Sequence, residues 1–239
     1  MKKVLFIMSL LLAGSGLFAA KPDVYRIDVH NFSELVVVDG VPVDYHTHTD
    51  SAGYAVFRCA PEIASELIFS NVDDKLTVRT NADEKTLTGI PRVTLYSTAL
   101  TKVENSGDSL VRVYIGAPVK EFKARQIDNG TLEIHNLTAD NLDAAVTAGK
   151  GSLVVDGNVK SAKINNVSSG PVEAGDLKTA NMSCFVFGSG NITCSPTEQL
   201  RIYGAGNGKI YYHGNPKIVK RGIGVKAIPA SDKDTADNR

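Results

Sequence analysis

The chain has 239 residues, with 26 basic and 26 acidic side chains, 43% hydrophobic residues, three cysteines and no tryptophan. A formal charge of zero gives no electrostatic case for nucleic acid or for an anionic membrane, both of which need a clustered positive surface. The odd cysteine count leaves at least one thiol unpaired, and no C-x-x-C spacing marks a metal site.

Residues 1–20 read as a signal peptide. Lys2 and Lys3 form a basic start, Val4–Leu12 is an apolar run continued through Ala13–Phe18, and Leu17-Phe18-Ala19-Ala20 offers small residues for cleavage. The run is short for a membrane-spanning helix, so export without a transmembrane segment is expected. Removal of residues 1–20 leaves 24 basic against 26 acidic groups, a charge of about −2. The remainder has no Pro/Ser-rich linker and is read as one all-β domain over residues 21–225.

Strand signals begin at once. Val24–Val29 alternates, Glu34–Asp39 carries Val36-Val37-Val38 and ends in Asp39-Gly40, and Val41–Thr49 and Tyr54–Arg58 flank a turn at Asp50–Gly53. Pro61–Ile68 is the best helical candidate, with Pro61 near a first-turn position. Lys75–Thr80, Arg92–Tyr96 and Leu100–Val103 follow as strands around a polar loop at Asn81–Thr88. The period over residues 21–100 is poorly defined, and an antiparallel β-sandwich stays open there.

From Gly107 the rhythm becomes regular. Glycine corners fall at Gly107, Gly130, Gly151, Gly170, Gly190 and Gly206 or Gly208, roughly 20 residues apart, with short alternating strands between them. A strand-based period of this length is the mark of a β-solenoid, in which each coil pairs only with its neighbours. Regular coils are expected over residues 101–220. Inward pairs would be Leu132 and Ile134, Leu153 and Val155, Ala162 and Ile164, Ile192 and Cys194, Ile210 and Tyr212. Glycine and asparagine suit corners with positive φ, and Asn165, Asn166, Asn191 and Asn207 would bond coil to coil. No helix pattern follows the glycines, so they do not read as a phosphate cradle. Residues 226–239 read as a polar, disordered tail.

The sequence Gly188-Ser189-Gly190-Asn191-Ile192, then Gly204-Ala205-Gly206-Asn207-Gly208-Lys209-Ile210-Tyr211-Tyr212-His213-Gly214-Asn215-Pro216, resembles the GIN domain, the putative autotransporter adhesin head domain of exported Bacteroidetes proteins. Pro91–Asp108 is similar to the strand and small-residue turn of that family. The resemblance spans roughly residues 24–225. It implies a right-handed parallel β-helix, export to the periplasm, outer membrane or cell surface, no enzymatic activity and no cofactor. It also implies an adhesin role towards a glycan or a cell-surface protein. The alternatives are a self-associating structural component of the envelope, active as a homo-oligomer, and a polysaccharide-active enzyme.

Candidate sites are few. Tyr203, Tyr211, Tyr212 and His213 form the densest aromatic group, and Tyr203 and Tyr211 would lie outside adjacent coils as a flat binding surface. His46 and His48 alternate onto one strand face and offer two of the ligands a Zn²⁺ or Cu²⁺ site needs, although the flanking threonines favour a plain exposed strand. Acids in the repeat region (Asp108, Asp128, Glu133, Asp156, Glu173, Asp176) look scattered, without the facing pair that glycoside hydrolysis requires. Cys184 and Cys194 are close enough in sequence for a disulfide, or serve as small apolar fillers.

Overall fold

Alternation of apolar and polar residues folds nearly the whole described chain into strands. The computed structural model describes residues 22–81 and 89–230. The predicted signal peptide, residues 82–88 of the predicted loop and residues 231–239 of the predicted tail lie outside the described residues. The described residues are 66% strand and 2% helix and form a β-solenoid of about six turns.

Four long strands make the regular coils: β11 (Thr131–Thr147), β12 (Ser152–Asn166), β13 (Val172–Val186) and β14 (Ile192–Ala205). The sequence predicts two short strands in each. The backbone instead pairs through the bend, as Leu137, Thr138 and Ala139 bond beside Gly157, Asn158 and Val159 after one register shift. N-terminal halves form a first stack, Leu132 on Leu153 on Val172 on Ile192. C-terminal halves form a second, Leu142 on Ala162 on Met182 on Leu200. These rows are buried and belong to one core. The predicted inward pairs are buried too, except Tyr212, which is half-buried and packs against the core.

The C-terminal end is built by β15 (Lys209–Tyr212), β16 (Lys217–Ile223) and β17 (Lys226–Pro229). β15 and β17 extend the first stack and β16 extends the second. Residues 226–229 are therefore not tail. Ala227 and Ile228 find a ready strand edge beside Ile210 and Tyr211, and Ala227 packs on the core.

Residues 22–127 join the same solenoid in an order the sequence does not announce. Their elements are β1 (Asp23–Asp28), β2 (Glu34–Val38), β3 (Val43–Thr47), β4 (Tyr54–Cys59), α1 (Pro61–Ala64), β5 (Leu67–Val72), β6 (Lys75–Thr80), β7 (Val93–Ser97), β8 (Lys102–Ser106), β9 (Leu110–Tyr114) and β10 (Val119–Ile127). β2 lies between β6 and β8, and β3 between β7 and β9, all parallel. An early coil is thus slotted between later ones, which is why no period is visible there. Antiparallel pairs β1–β4, β4–β7 and β5–β6 finish the N-terminal end. A separate sandwich is excluded by the parallel pairing and the shared core. The predicted helix shrinks to one turn, because Leu67 and Ile68 pair with Thr80 and Arg79 instead.

The corner glycines owe their place to close approach. A Cβ on Gly130, Gly170, Gly190 or Gly208 would overlap the carbonyl oxygen of the glycine one coil earlier. None of these four has positive φ; near the corners that conformation falls to Asp128, Ala148 and Gly149. The expected asparagine ladder is split. Asn191 Oδ1 accepts from the Lys209 N–H of the next coil (3.1 Å), whereas Asn166 donates to Gly170 O (2.9 Å) and accepts from Ser168 within its own corner.

All three cysteines are buried free thiols. The hydrogen bond that the Cys184 thiol donates to Cys194, then burial, holds that thiol well above its ordinary value of 9.0. Burial likewise raises the Tyr45 hydroxyl above 10.0, partly offset by its hydrogen bond with Ser97. Both groups stay neutral in the fold but ionise at ordinary pH once unfolded. Their stabilising contribution is therefore complete below about pH 9 and falls as pH rises beyond it. Under reducing conditions, urea midpoints should drop between pH 8 and pH 10.5, and Cys184→Ala should flatten the first part of that drop. An unchanged pH slope in Cys184→Ala would contradict this account.

Candidate binding face

Each stack presents an outer face, and the two differ in chemistry. On the first, an aromatic column runs across the coils. His46 stacks on Tyr114 at 4.7 Å and 7° and on Tyr96 at 5.9 Å, and Tyr114 stacks on His135 at 5.1 Å. His48 meets Tyr96 edge-on, and its Nδ1 accepts the Ser51 N–H at 3.2 Å. The two histidines are thus engaged by rings and backbone. Among the described residues no group of three His, Cys, Asp or Glu is arranged to hold a metal ion.

Beside the column runs a chain of polar contacts: Arg92 to Asp44 (2.8 Å), Asp44 to Arg112 (4.0 Å), Arg112 to Glu133 (2.9 Å), Glu133 to His135 (3.6 Å) and His135 to Asp156 (2.7 Å). The Glu133 hydrogen bond raises the Arg112 guanidinium above its ordinary value. Acids that look scattered in the sequence therefore meet in space, because residues about one period apart sit on adjacent coils. Arg92 and Arg112 thereby face Asp44 and Glu133 across adjacent strands, and these pairs clamp coil to coil.

The second outer face is not matched. In register across β12, β13, β14 and β16 lie Lys163, Ser183, Arg201 and Val219, and beside them Asn165, Phe185, Tyr203 and Arg221. From the row Ser161, Asn181, Gln199 and Lys217 onward, no outward position of these four strands is acidic. Lys163, Arg201, Lys217 and Arg221 have no ion pair among the described residues. The neighbouring acid on β11, Asp143, faces Arg125 at 3.3 Å. Phe185 and Tyr203 stack at 4.9 Å and 16°, with the Lys163 ammonium 5.4 Å from the Phe185 ring. A chain of zero formal charge thus carries a clustered positive surface after all. Its cations come from three coils, so the whole-chain balance conceals them.

The predicted aromatic group does not come together. Tyr203 belongs to this second face. Tyr211 lies in the first stack, in register with Thr193 and Ile228. Tyr212 is turned against the core, and the His213 N–H bonds to Cys194 O at 2.9 Å. Sequence reading missed Phe185, Lys163, Arg201 and Arg221. Writing the sequence in lines of one coil would have placed Phe185, Tyr203 and Arg221 in one column.

The profile of the putative auto-transporter adhesin, head GIN domain family matches residues 31–216. The chain belongs to the GIN-domain family. Solved structures share the fold of this GIN domain. A putative adhesin from Bacteroides fragilis superposes with a TM-score of 0.73 at 21% identity, covering 87% of this chain and 97% of that one. A putative lipid binding protein from Parabacteroides distasonis gives 0.68 at 20% identity, covering 88% and 98%. A putative adhesin from Parabacteroides merdae gives 0.68 at 18%, covering 88% and 97%. No curated protein matches this chain. Neither the family nor these relatives indicate a catalytic activity. No helix among the described residues is long and apolar enough to cross a membrane.

Proposed function

We propose that this GIN domain is an exported, non-catalytic binding module of the cell envelope, an adhesin-type head. Its contact surface is the outer face of the second stack from β12 to β16. One observation carries the reading: four cations with no ion pair among the described residues share one outer face with an exposed apolar margin, whereas on the other face Arg92 and Arg112 are paired with Asp44 and Glu133. Unmatched charge on an extended sheet contributes little to folding and is suited to recruiting a partner by long-range attraction. The N-terminal signal pattern and the adhesin names of the family and its structural relatives support export and binding. Arg201→Glu/Arg221→Glu should keep the wild-type unfolding midpoint. It should also lose at least tenfold in affinity for whatever ligand a panel of glycans, envelope extracts and lipid vesicles reveals for the wild type. Undiminished affinity would overturn the assignment of the face.

The second reading is self-association in the envelope. It is favoured by the open C-terminal end, where Ile218 is 38% exposed and β16 and β17 each have one unpaired edge. Light scattering over a range of concentrations tests it, and a monomer throughout would remove it.

A further inference from the structure

We infer that the partner of this face is an anionic phospholipid surface, with the corner beside the face entering the headgroup layer. The inference rests on the proposed assignment of the face as the binding surface. The corner carries a row of exposed apolar side chains on successive coils. Val167 is 51% exposed, Phe187 56% and Ile223 83%, with Ala205 in register beside Ile223. The Val167 and Phe187 N–H groups bond to the preceding coils at Val146 O and Asn166 O, so the row is held by backbone rather than by a loose loop.

Three features select a lipid surface. The row sits on a convex corner, where it cannot enclose a small ligand but can enter a soft layer. Its length, three coil spacings of about 4.8 Å, is about 14 Å. The cations lie on the same face inside the row: Arg221 one outward position from Ile223, Lys163 and Arg201 two positions from Val167 and Ala205, and Lys217 three. For Arg221 the separation is about 6.6 Å along a strand, within the headgroup boundary of about 5–10 Å, while Lys163 and Arg201, about 13 Å back, attract the anionic surface at longer range. Apolar groups beside a single sign of charge are the combination by which proteins bind membranes without spanning them.

The aromatic geometry argues against a sugar platform. Phe185 and Tyr203 turn their faces towards each other, and Lys163 covers the outer face of Phe185. A pyranose would need a free ring face lying parallel to the sheet. Anionic polysaccharide is therefore the competing outcome of the test.

The chain has no tryptophan, so Phe187→Trp provides a single fluorescent reporter in the row. The protein lacking residues 1–20 is mixed with vesicles of phosphatidylglycerol and phosphatidylethanolamine, with phosphatidylcholine vesicles, and with alginate. Expected are a blue shift of Trp emission and cosedimentation only with the anionic vesicles, weakened by salt. Phe187→Ser/Ile223→Ser and Arg201→Glu/Arg221→Glu should each reduce vesicle binding at least tenfold at unchanged unfolding midpoints. Alginate binding that depends on Arg201 and Arg221, without vesicle binding, would overturn the lipid assignment and leave the face standing. Vesicle binding indifferent to both double variants would overturn the lipid assignment and the face together. So would the absence of binding to all three probes.

Discussion

Gly190→Ala should destabilise the solenoid by about 3 kcal/mol, the upper end of what one extra methyl costs in a packed interior. The added Cβ would overlap the Gly170 carbonyl oxygen and stand 2.7 Å from Asn166 Nδ2. Neither neighbour can yield cheaply. Gly170 is the corner of the preceding coil, itself seated against Gly151, and Asn166 holds that corner closed through its bond to Gly170 O. Relief requires separating two coils and weakening the ladder on both sides of the corner. Gly40→Ala is the control. Gly40 has φ +74°, but nothing lies within 4 Å of the added atom, so only backbone strain of about 1–2 kcal/mol remains. Urea unfolding of the two variants separates the causes. Equal losses would mean that close coil approach is not why glycine stands at residue 190.

The comparison also shows what a one-dimensional reading can reach. Leu132, Ile134, Leu153 and Val155 are legible as inward residues because alternation within one strand is local, and coil length follows from glycines that recur. The insertion of β2 and β3 between later coils is not legible, since no local signal says which strand edge a segment will choose. Tyr45 shows the same limit at one residue. Beside His46 and His48 it looks like part of a surface site, yet it points inward, fully buried, with its hydroxyl 2.7 Å from Ser97 Oγ. Choosing the face is a matter of register, and register belongs to the pair rather than to the strand. The positive face was hidden for a related reason. Lys163, Arg201 and Arg221 are separated by tens of residues and become neighbours only through parallel stacking.

Asn105→Asp should cost about 3–5 kcal/mol at neutral pH, the range found when a buried charge is left without a partner. Asn105 is fully buried in β8, and its Nδ2 donates to Gln126 Oε1 (2.9 Å), Ser109 O (3.0 Å) and Thr131 O (3.3 Å). One amide thereby ties the first regular corner to the two strands that follow. Its own Oδ1 has no hydrogen-bond partner, so the donors are what the site uses. Aspartate has the same shape but turns the donor into a negative oxygen facing three acceptors. The fold must then keep that carboxyl protonated, raising its pKa above the ordinary value of about 3.9. A raised carboxyl pKa means that the folded variant binds more protons than the unfolded one. Its deficit should therefore be small below about pH 4 and grow as pH rises towards the folded-state pKa. Asn105→Ala removes the donors without adding charge and should cost about 1–3 kcal/mol, with the same loss at pH 4 and pH 7. Urea titrations of both variants at the two pH values decide the matter. A pH-independent loss in Asn105→Asp would show that the amide donors are not what secures this corner.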